Sequence, residues 1–290
     1  MMTEEDRFLA ILKQGAQAEG IPAWGVCALE ALSVRLPCRA LRLLPQTGSV
    51  LPLALPYYTG EASRTNLARY AWCDDYHQVA GAMLERLLQP LRQAFPQALL
   101  LGFTDSSPIP EVEAAVRAGL GFRGKNGQLI IPGIGSRVFV CEIVTDLPLS
   151  PYEGPPRGDC GSCRRCLEAC PTGALSQTEF QKSRCRSQIT QKKGVLTPWE
   201  QQQVREGGLA WGCDICTAVC PWNKSSPLTP ISGLRENIEP FLTREKLERL
   251  LPEKSYGWRG AGVLERNLEL LEDPGPEETA MEGPDGLIHC

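Results

Sequence analysis

No stretch of this 290-residue chain approaches the roughly 18–20 consecutive apolar residues that span a bilayer. Its first residues, MMTEEDRFLAILKQ, lack the basic start and apolar run of a secretory signal and read as an amphipathic helix. These two absences point to a cytoplasmic protein with no membrane partner. A large charge of one sign is missing too. The net charge is −4, so the chain as a whole carries no electrostatic mark of a nucleic-acid binder. The segment after Leu271 is an exception, with six acids and no Lys or Arg. Histidine is scarce, and of the two present only His77 lies outside the tail. Beside a helix start, His77 suits a hydrogen-bonded structural role as well as chemistry.

Cysteine, by contrast, is abundant. There are 13, and eight fall between Cys160 and Cys220. A reducing compartment argues against a disulfide framework, and the clustering favours metal. The stretch CGSCRRCLEACP places Cys160, Cys163, Cys166 and Cys170 in the C-x2-C-x2-C-x3-C-P pattern of bacterial [4Fe–4S] proteins. Three cysteines of such a loop wrap one cubane, and the fourth points to another cluster. A second stretch, GCDICTAVCPWN, supplies Cys213, Cys216 and Cys220, with Ala210 where a further cysteine is expected. Cys185 is the available replacement. The count then closes as Cys160, Cys163, Cys166 and Cys220 around one cluster, and Cys170, Cys185, Cys213 and Cys216 around the other. All-thiolate structural zinc is the competing account, but its CxxC pairs are a far less specific pattern.

Before the cysteines, residues 1–150 alternate helical and strand-like periodicities and predict a sheet-centred domain. GSVLPLALPYY reads as a strand interrupted by prolines, YHQVAGAMLERLLQPLRQAF as a helix, and QALLLGFTDSSP as a buried strand ending in a polar loop. Residues 151–228 form the cysteine-bearing domain, entered through the Pro/Gly-rich SPYEGPPRG. Residues 229–271 form a short helical segment, and the acidic, Pro/Gly-rich 272–290 is expected to be disordered. Three stretches of the first domain stand out. RYAWCDDYHQ gathers Cys73, Asp75, Tyr76 and His77. FTDSSPIPEVEAA puts Asp105 at a strand end, where an Asx-type turn is the plainer role. GLGFRGKNGQ is glycine-rich around Lys125 and Asn126 but lacks the Ser/Thr and spacing of a P-loop.

Taken in order, these stretches resemble the epoxyqueuosine reductase family, relatives of reductive dehalogenases. The match runs through Arg69–His77, Asp105–Pro108 with Glu111, RAGLGFRGKN, GSRVFVCEIVTDLPL, both cysteine runs and Arg184-Cys185. The resemblance implies an α+β protein: an α/β cobalamin-binding domain, a ferredoxin-like double [4Fe–4S] domain and a short helical C-terminus. It implies electrons passing from an external low-potential donor, such as a ferredoxin or flavodoxin, through two [4Fe–4S] clusters to cobalamin. The epoxide oxygen of epoxyqueuosine in tRNA is then removed, in the final step of queuosine biosynthesis, with two electrons and two protons consumed and water released. Asp105 matches the family's proton donor, and a carboxyl desolvated beside a corrin can hold a proton at neutral pH. Cobalamin contacts are implied near Cys73, Tyr76, His77, Lys125 and Asn126, and on the cluster side near Ser187 and Asp214.

Two positions depart from the family pattern. Val112 and Asp74 stand where the family carries Arg and a basic residue. Lost positive charge weakens attraction to phosphate, although residues 151–200 hold eight Lys/Arg against five Asp/Glu. The alternatives are a paralogous reductase of another substrate and a two-cluster electron carrier. Anaerobic reconstitution should load about eight irons per chain, the content of two cubanes. Two zincs and no iron on metal analysis would remove the electron path.

Overall fold

The computed structural model describes residues 2–33 and 36–272; the tail expected to be disordered lies, beyond Glu272, outside the described residues. In chain order the strands are β1 (Ala23–Trp24), β2 (Cys27–Ala28), β3 (Ser49–Pro56), β4 (Leu100–Thr104), β5 (Phe122–Arg123), β6 (Leu129–Ile130) and β7 (Val138–Thr145). The helices of the sheet half are α1 (Glu4–Ala18), α2 (Tyr76–Ala94) and α3 (Glu111–Arg117). The cysteine half carries α4 (Arg165–Glu168), α5 (Arg186–Thr190), α6 (Pro198–Gly207) and α7 (Ile215–Ala218). The last segment adds α8 (Ser232–Arg235), α9 (Arg244–Leu250) and α10 (Ala261–Glu272). No described helix is long and apolar enough to cross a membrane.

The main sheet runs β1-β3-β7-β4, with β2 also on β3, and every pairing is antiparallel. Because side chains alternate along a strand, β3 and β7 each feed two cores. Leu51, Leu53, Leu55, Cys141 and Ile143 face α1 and α2. Val50, Ala54, Val140 and Val144 face α3 with Ala114 and Ala115. Glu142, between Val140 and Val144, therefore points toward α3 and is fully buried.

The prolines of β3 do not interrupt it. Pro52 stands opposite Glu142, and its carbonyl accepts from Gly25 N–H (3.3 Å). The nitrogen lies on the same strand edge as that carbonyl, so it faces the gap between β1 and β2, where no ladder donor is needed. The α1 start is closed by a capping box between Thr3 and Asp6.

The last segment is not an appendage. Ile231 and Leu234 join the core of α1 and α2. Leu242, Leu247, Tyr256 and Leu264 pack with Leu67, Trp72 and Trp211. Asn66 exchanges two hydrogen bonds with Leu242 (2.7 and 2.8 Å), and Asn267 donates to Thr190 and Ala210 carbonyls (2.7 Å each). Across the sheet–cysteine seam, Asn223 accepts from Ser136 N–H (2.7 Å) and donates to Ser136 Oγ (2.9 Å) and Thr217 O (2.7 Å). A Cβ at residue 135 would come within 2.3 Å of Asn223 Oδ1, and φ there is +95°, so glycine is needed.

Lys254, between α9 and α10, ties the last segment to residues 72–74 and has no counterpart in the sequence patterns. Its ammonium is buried and donates to Asp74 Oδ1 (3.0 Å), Trp72 O (3.2 Å) and Asn237 O. Asn237 also donates to Asp74 Oδ2 (3.0 Å), and Asp75 N–H donates to Glu253 O (2.8 Å). Asp74 is thus a neutralised anchor rather than a bare negative charge. Lys254→Ala should lower stability by about 2–3 kcal/mol, less than for a fully buried pair because Asp74 keeps contact with water. Denaturant melts would show it, with amide exchange accelerating first around Asp75 and Asn237.

Candidate functional site

The eight cluster-region cysteines divide between two cavities. Cys160, Cys163, Cys166 and Cys220 line a small one with Lys125, Asn126, Ile130 and Trp222. Cys170, Cys185, Cys213 and Cys216 line a second, of about 190 Å³, with Tyr57, Tyr70, Asn126, Ser187 and Asp214. Two one-turn helices in contact, α4 and α7, carry Cys166 and Cys216. The last cysteine of each run, Cys170 or Cys220, crosses to the other run's cavity. Among the described residues, no three His, Cys, Asp or Glu side chains close on one point as a single ion requires. The thiols surround a space instead.

The electrostatics suit a cationic group in that space. Burial first, and then the neighbouring thiolates Cys213, Cys185 and Cys166, push the Cys216 thiol up to about 12. Burial and neighbouring thiolates also raise Cys166, led by Cys160, and Cys220. Backbone N–H groups aim at the sulfurs: those of Leu175, Thr172 and Ala174 at Cys170, and those of Trp222 and Asn223 at Cys220. Such donors, with an all-thiolate set, fit an iron–sulfur cubane.

The second part of the site lies at the C-terminal end of β4 and the start of α2. Asp75 caps α2, accepting from His77 N–H (3.1 Å). The His77 ring reaches Asp75 Oδ1 with Nδ1 (2.6 Å) and Asp105 Oδ2 with Nε2 (3.4 Å). Bonds to Asp105 and then Asp75 push His77 up to about 9 against partial burial. Burial pushes Asp75 up, but its bonds from His77 outweigh that and leave it below the usual carboxylate range. Asp105 sits in the left-handed backbone region at φ 57°, with its carboxylate largely exposed. Tyr76 stacks on His77 (4.0 Å between centroids) and on Phe139 (4.0 Å), and Phe139 lies against Tyr57 (4.6 Å). Since Tyr57 lines the second cysteine cavity, a continuous row of rings joins that cavity to His77 and Asp105.

Several expected contacts fall elsewhere. Cys73 is buried among the α1–α2 core residues, with its thiol toward Tyr70 O (3.7 Å), so it faces neither cavity. The helix start that presents His77 turns Cys73 inward. Lys125 lies against the first cysteine loop, donating to Gly161 O (2.8 Å) and Cys163 O (2.9 Å), away from the second cavity. Asn126 lines both cavities, and its buried Nδ2 has no partner in the chain. Ser187 and Asp214 line the second cavity, and Asp214 accepts from Arg69 N–H (2.7 Å). The residues that periodicity did not reveal are Tyr57, Tyr70, Phe139 and Glu142, whose facing depends on strand register and on which loops cover the cavity.

Comparison with known proteins agrees with this geometry. Residues 159–223 match the 4Fe-4S double cluster binding domain family, and residues 38–106 match the family described as "Epoxyqueuosine reductase QueG, DUF1730". An epoxyqueuosine reductase of Leadbetterella byssophila is 38% identical over 242 residues, covering 80% of each chain. That of Listeria monocytogenes is 31% identical over 99% of this chain and 79% of its own. The chain belongs to the epoxyqueuosine reductase family. A Synechocystis epoxyqueuosine reductase is 40% identical over 63% of this chain, a match spanning 65% of the relative's length.

Solved structures of epoxyqueuosine reductases superimpose on the whole arrangement. One crystallised with an epoxyqueuosine-modified tRNA-Tyr stem loop has TM-score 0.79 at 27% identity, covering 92% of this chain and 81% of that one. The Streptococcus thermophilus structure gives 0.73 at 25% identity, covering 91% and 80%. A reductive dehalogenase shares the fold at 16% identity and TM-score 0.51, over 94% of this chain and 37% of its own. In this family member a sheet half and a double-cluster half meet along one seam.

The raised His77 gives a signed pH effect. Its contribution to stability is fully present below pH 6.5, its ordinary value, and is lost as pH rises through about 9. Ring proton shifts of His77 should titrate near 9 in the wild type and lower in Asp105→Asn. An unchanged midpoint in that variant would show that Asp105 does not hold the imidazolium.

Proposed function

We propose that this chain reduces epoxyqueuosine to queuosine in tRNA, using two [4Fe–4S] clusters and cobalamin. The observation that carries the proposal is the ring row Tyr57–Phe139–Tyr76–His77, which joins a four-thiol cavity to an acid–base array. An electron carrier needs the thiols but not the array. The tRNA-bound relative supports the substrate.

The residues present suit a corrin between the halves. Ser187, Asp214, Asn126, the buried Tyr57 and the half-buried Tyr70 line the cluster-side cavity, and Asn126 offers there an amide with no partner among the described residues. When bound, cobalamin supplies a two-electron centre that a pair of one-electron clusters can charge. The chain's own work is protonic and positional. Asp105, exposed on its left-handed turn, presents a carboxyl to the departing epoxide oxygen. His77 holds Asp105 from one side and is itself held by Asp75, so the carboxyl is oriented before substrate arrives. Asp74 does not repel phosphate as a free anion, because Lys254 neutralises it. Val112 packs with the α3 core and reaches toward no phosphate. The protein works in the cytoplasm, and its electrons come from a ferredoxin or flavodoxin-type donor.

Anaerobic incubation of the loaded enzyme with an epoxyqueuosine-bearing stem loop and strong reductant should yield queuosine by nucleoside mass spectrometry. Asp105→Asn should keep the cluster and corrin absorption while losing roughly 10²–10⁴-fold in turnover, the usual scale of a general acid. A cofactor-replete wild type that makes no queuosine would defeat the assignment.

A further inference from the structure

Behind Asp105 lie two glutamates that the acid–base array does not account for. Glu142 is fully buried in mid-strand β7, on the face that packs against α3, and neither of its carboxyl oxygens has a hydrogen-bond partner. Its register partners, Phe103 on β4 and Pro52 on β3, bring no charge. Ser107 is the polar group beside it, and its hydroxyl, which also donates to Ile109 O (3.3 Å), offsets only part of the effect of burial. Glu111 begins α3 and is half-buried, with Oε1 itself buried and unpartnered among the described residues. The Asp105 backbone N–H is directed at the Glu111 carboxyl.

Two such carboxyls cannot both be anionic in an apolar layer, since buried polar atoms need partners and buried charges more so. Burial, followed by the charge of Asp105, pushes Glu111 up to about 8. Burial, followed by the charge of Glu111, pushes Glu142 well above the ordinary range. The charged and titratable groups facing the pair are Asp105 from the β4 loop, His77 and Tyr76 from α2 and the buried thiol of Cys141 on β7.

We propose that Glu111 and Glu142 are a proton store that reloads Asp105 during turnover. The proposal rests on the reductase reading for the use made of the proton. Converting the epoxide to an alkene and water takes two electrons, from the low-potential donor, and two protons. Asp105 carries one proton at a time. After the first transfer, Glu111 gives its proton to the Asp105 carboxylate, while Glu142 keeps its own, so the Glu111 carboxylate faces a neutral neighbour rather than a second anion. The pair passes from two protons to one, avoiding a buried dianion; Glu111 and Asp105, which the second transfer leaves as a carboxylate, each regain one proton from solvent after product leaves. Glu111 and Glu142 act through Asp105 and do not touch substrate.

Infrared difference spectra of the full-length holoenzyme decide whether the store exists. A protonated-carboxyl C=O band should be present at neutral pH, weaken through about pH 8, and be lost in part in both Glu142→Gln and Glu111→Gln. No band attributable to either residue overturns the proposal, whatever the activity. With the epoxyqueuosine stem loop, both variants should keep their cofactors and lose at least about tenfold in kcat. The alkaline limb of the pH–rate profile should move in Glu111→Gln, which a merely structural glutamate would not cause. Full turnover with an unmoved profile in both variants refutes the relay. If the wild type shows the band but makes no queuosine, the reductase reading fails and the carboxyl store stands.

Discussion

Eight thiols that must share two small volumes are the constraint on which the rest of this structure depends. Drawn together as thiolates, they repel one another, and burial adds to that cost, so the arrangement is stable only around a strongly cationic core. The two cysteine runs exchange their last residues across that core, which ties α4 to α7 and closes the cysteine half. Once closed, that half presents Asn223 to Ser136 and Asn126 to both cavities, and the sheet half is docked in one orientation. The site between the halves exists because of this docking.

The sheet half contributes stiffness where the chemistry needs it. β3 and β7 are buried on both faces, so Phe139 is held in place and can anchor the stack through Tyr76 to His77. Asp75 caps the helix and steers the imidazole with the same carboxylate, which couples helix formation to site geometry. From the far side, Lys254 and the Glu253 carbonyl clamp residues 72–75. The last helical segment therefore supports the acid–base array from a distance of some 180 residues along the chain.

The cluster ligands were legible early because their chemistry is local. A cubane wrapped by one short loop imposes fixed intervals, and the vacancy at Ala210 with a spare Cys185 was a matter of counting. The helices α1 and α2 and the strand β4 were legible from periodicity. What failed were inferences that assumed neighbours in sequence share an environment. Cys73 stands four residues from His77, yet the helix start points them in different directions. Lys125 lies in a glycine-rich loop that suggests a ligand, yet its ammonium ends on the Gly161 and Cys163 carbonyls. Asp74 reads as a missing positive charge until Lys254 is seen against it.

The amino-acid sequence by itself determined which atoms are available for metal, which carboxyl ends a strand (though β4 is a half-buried edge strand and not the buried one expected), and which family pattern the chain follows. Those properties belong to residue types at short spacing. Only the tertiary structure decided that a row of rings connects the thiols to Asp105, that Glu111 and the buried Glu142 lie together behind it, and that Asp74 is paired with Lys254. Each of these depends on strand register and on contacts between distant segments, where packing, not local preference, selects the partner.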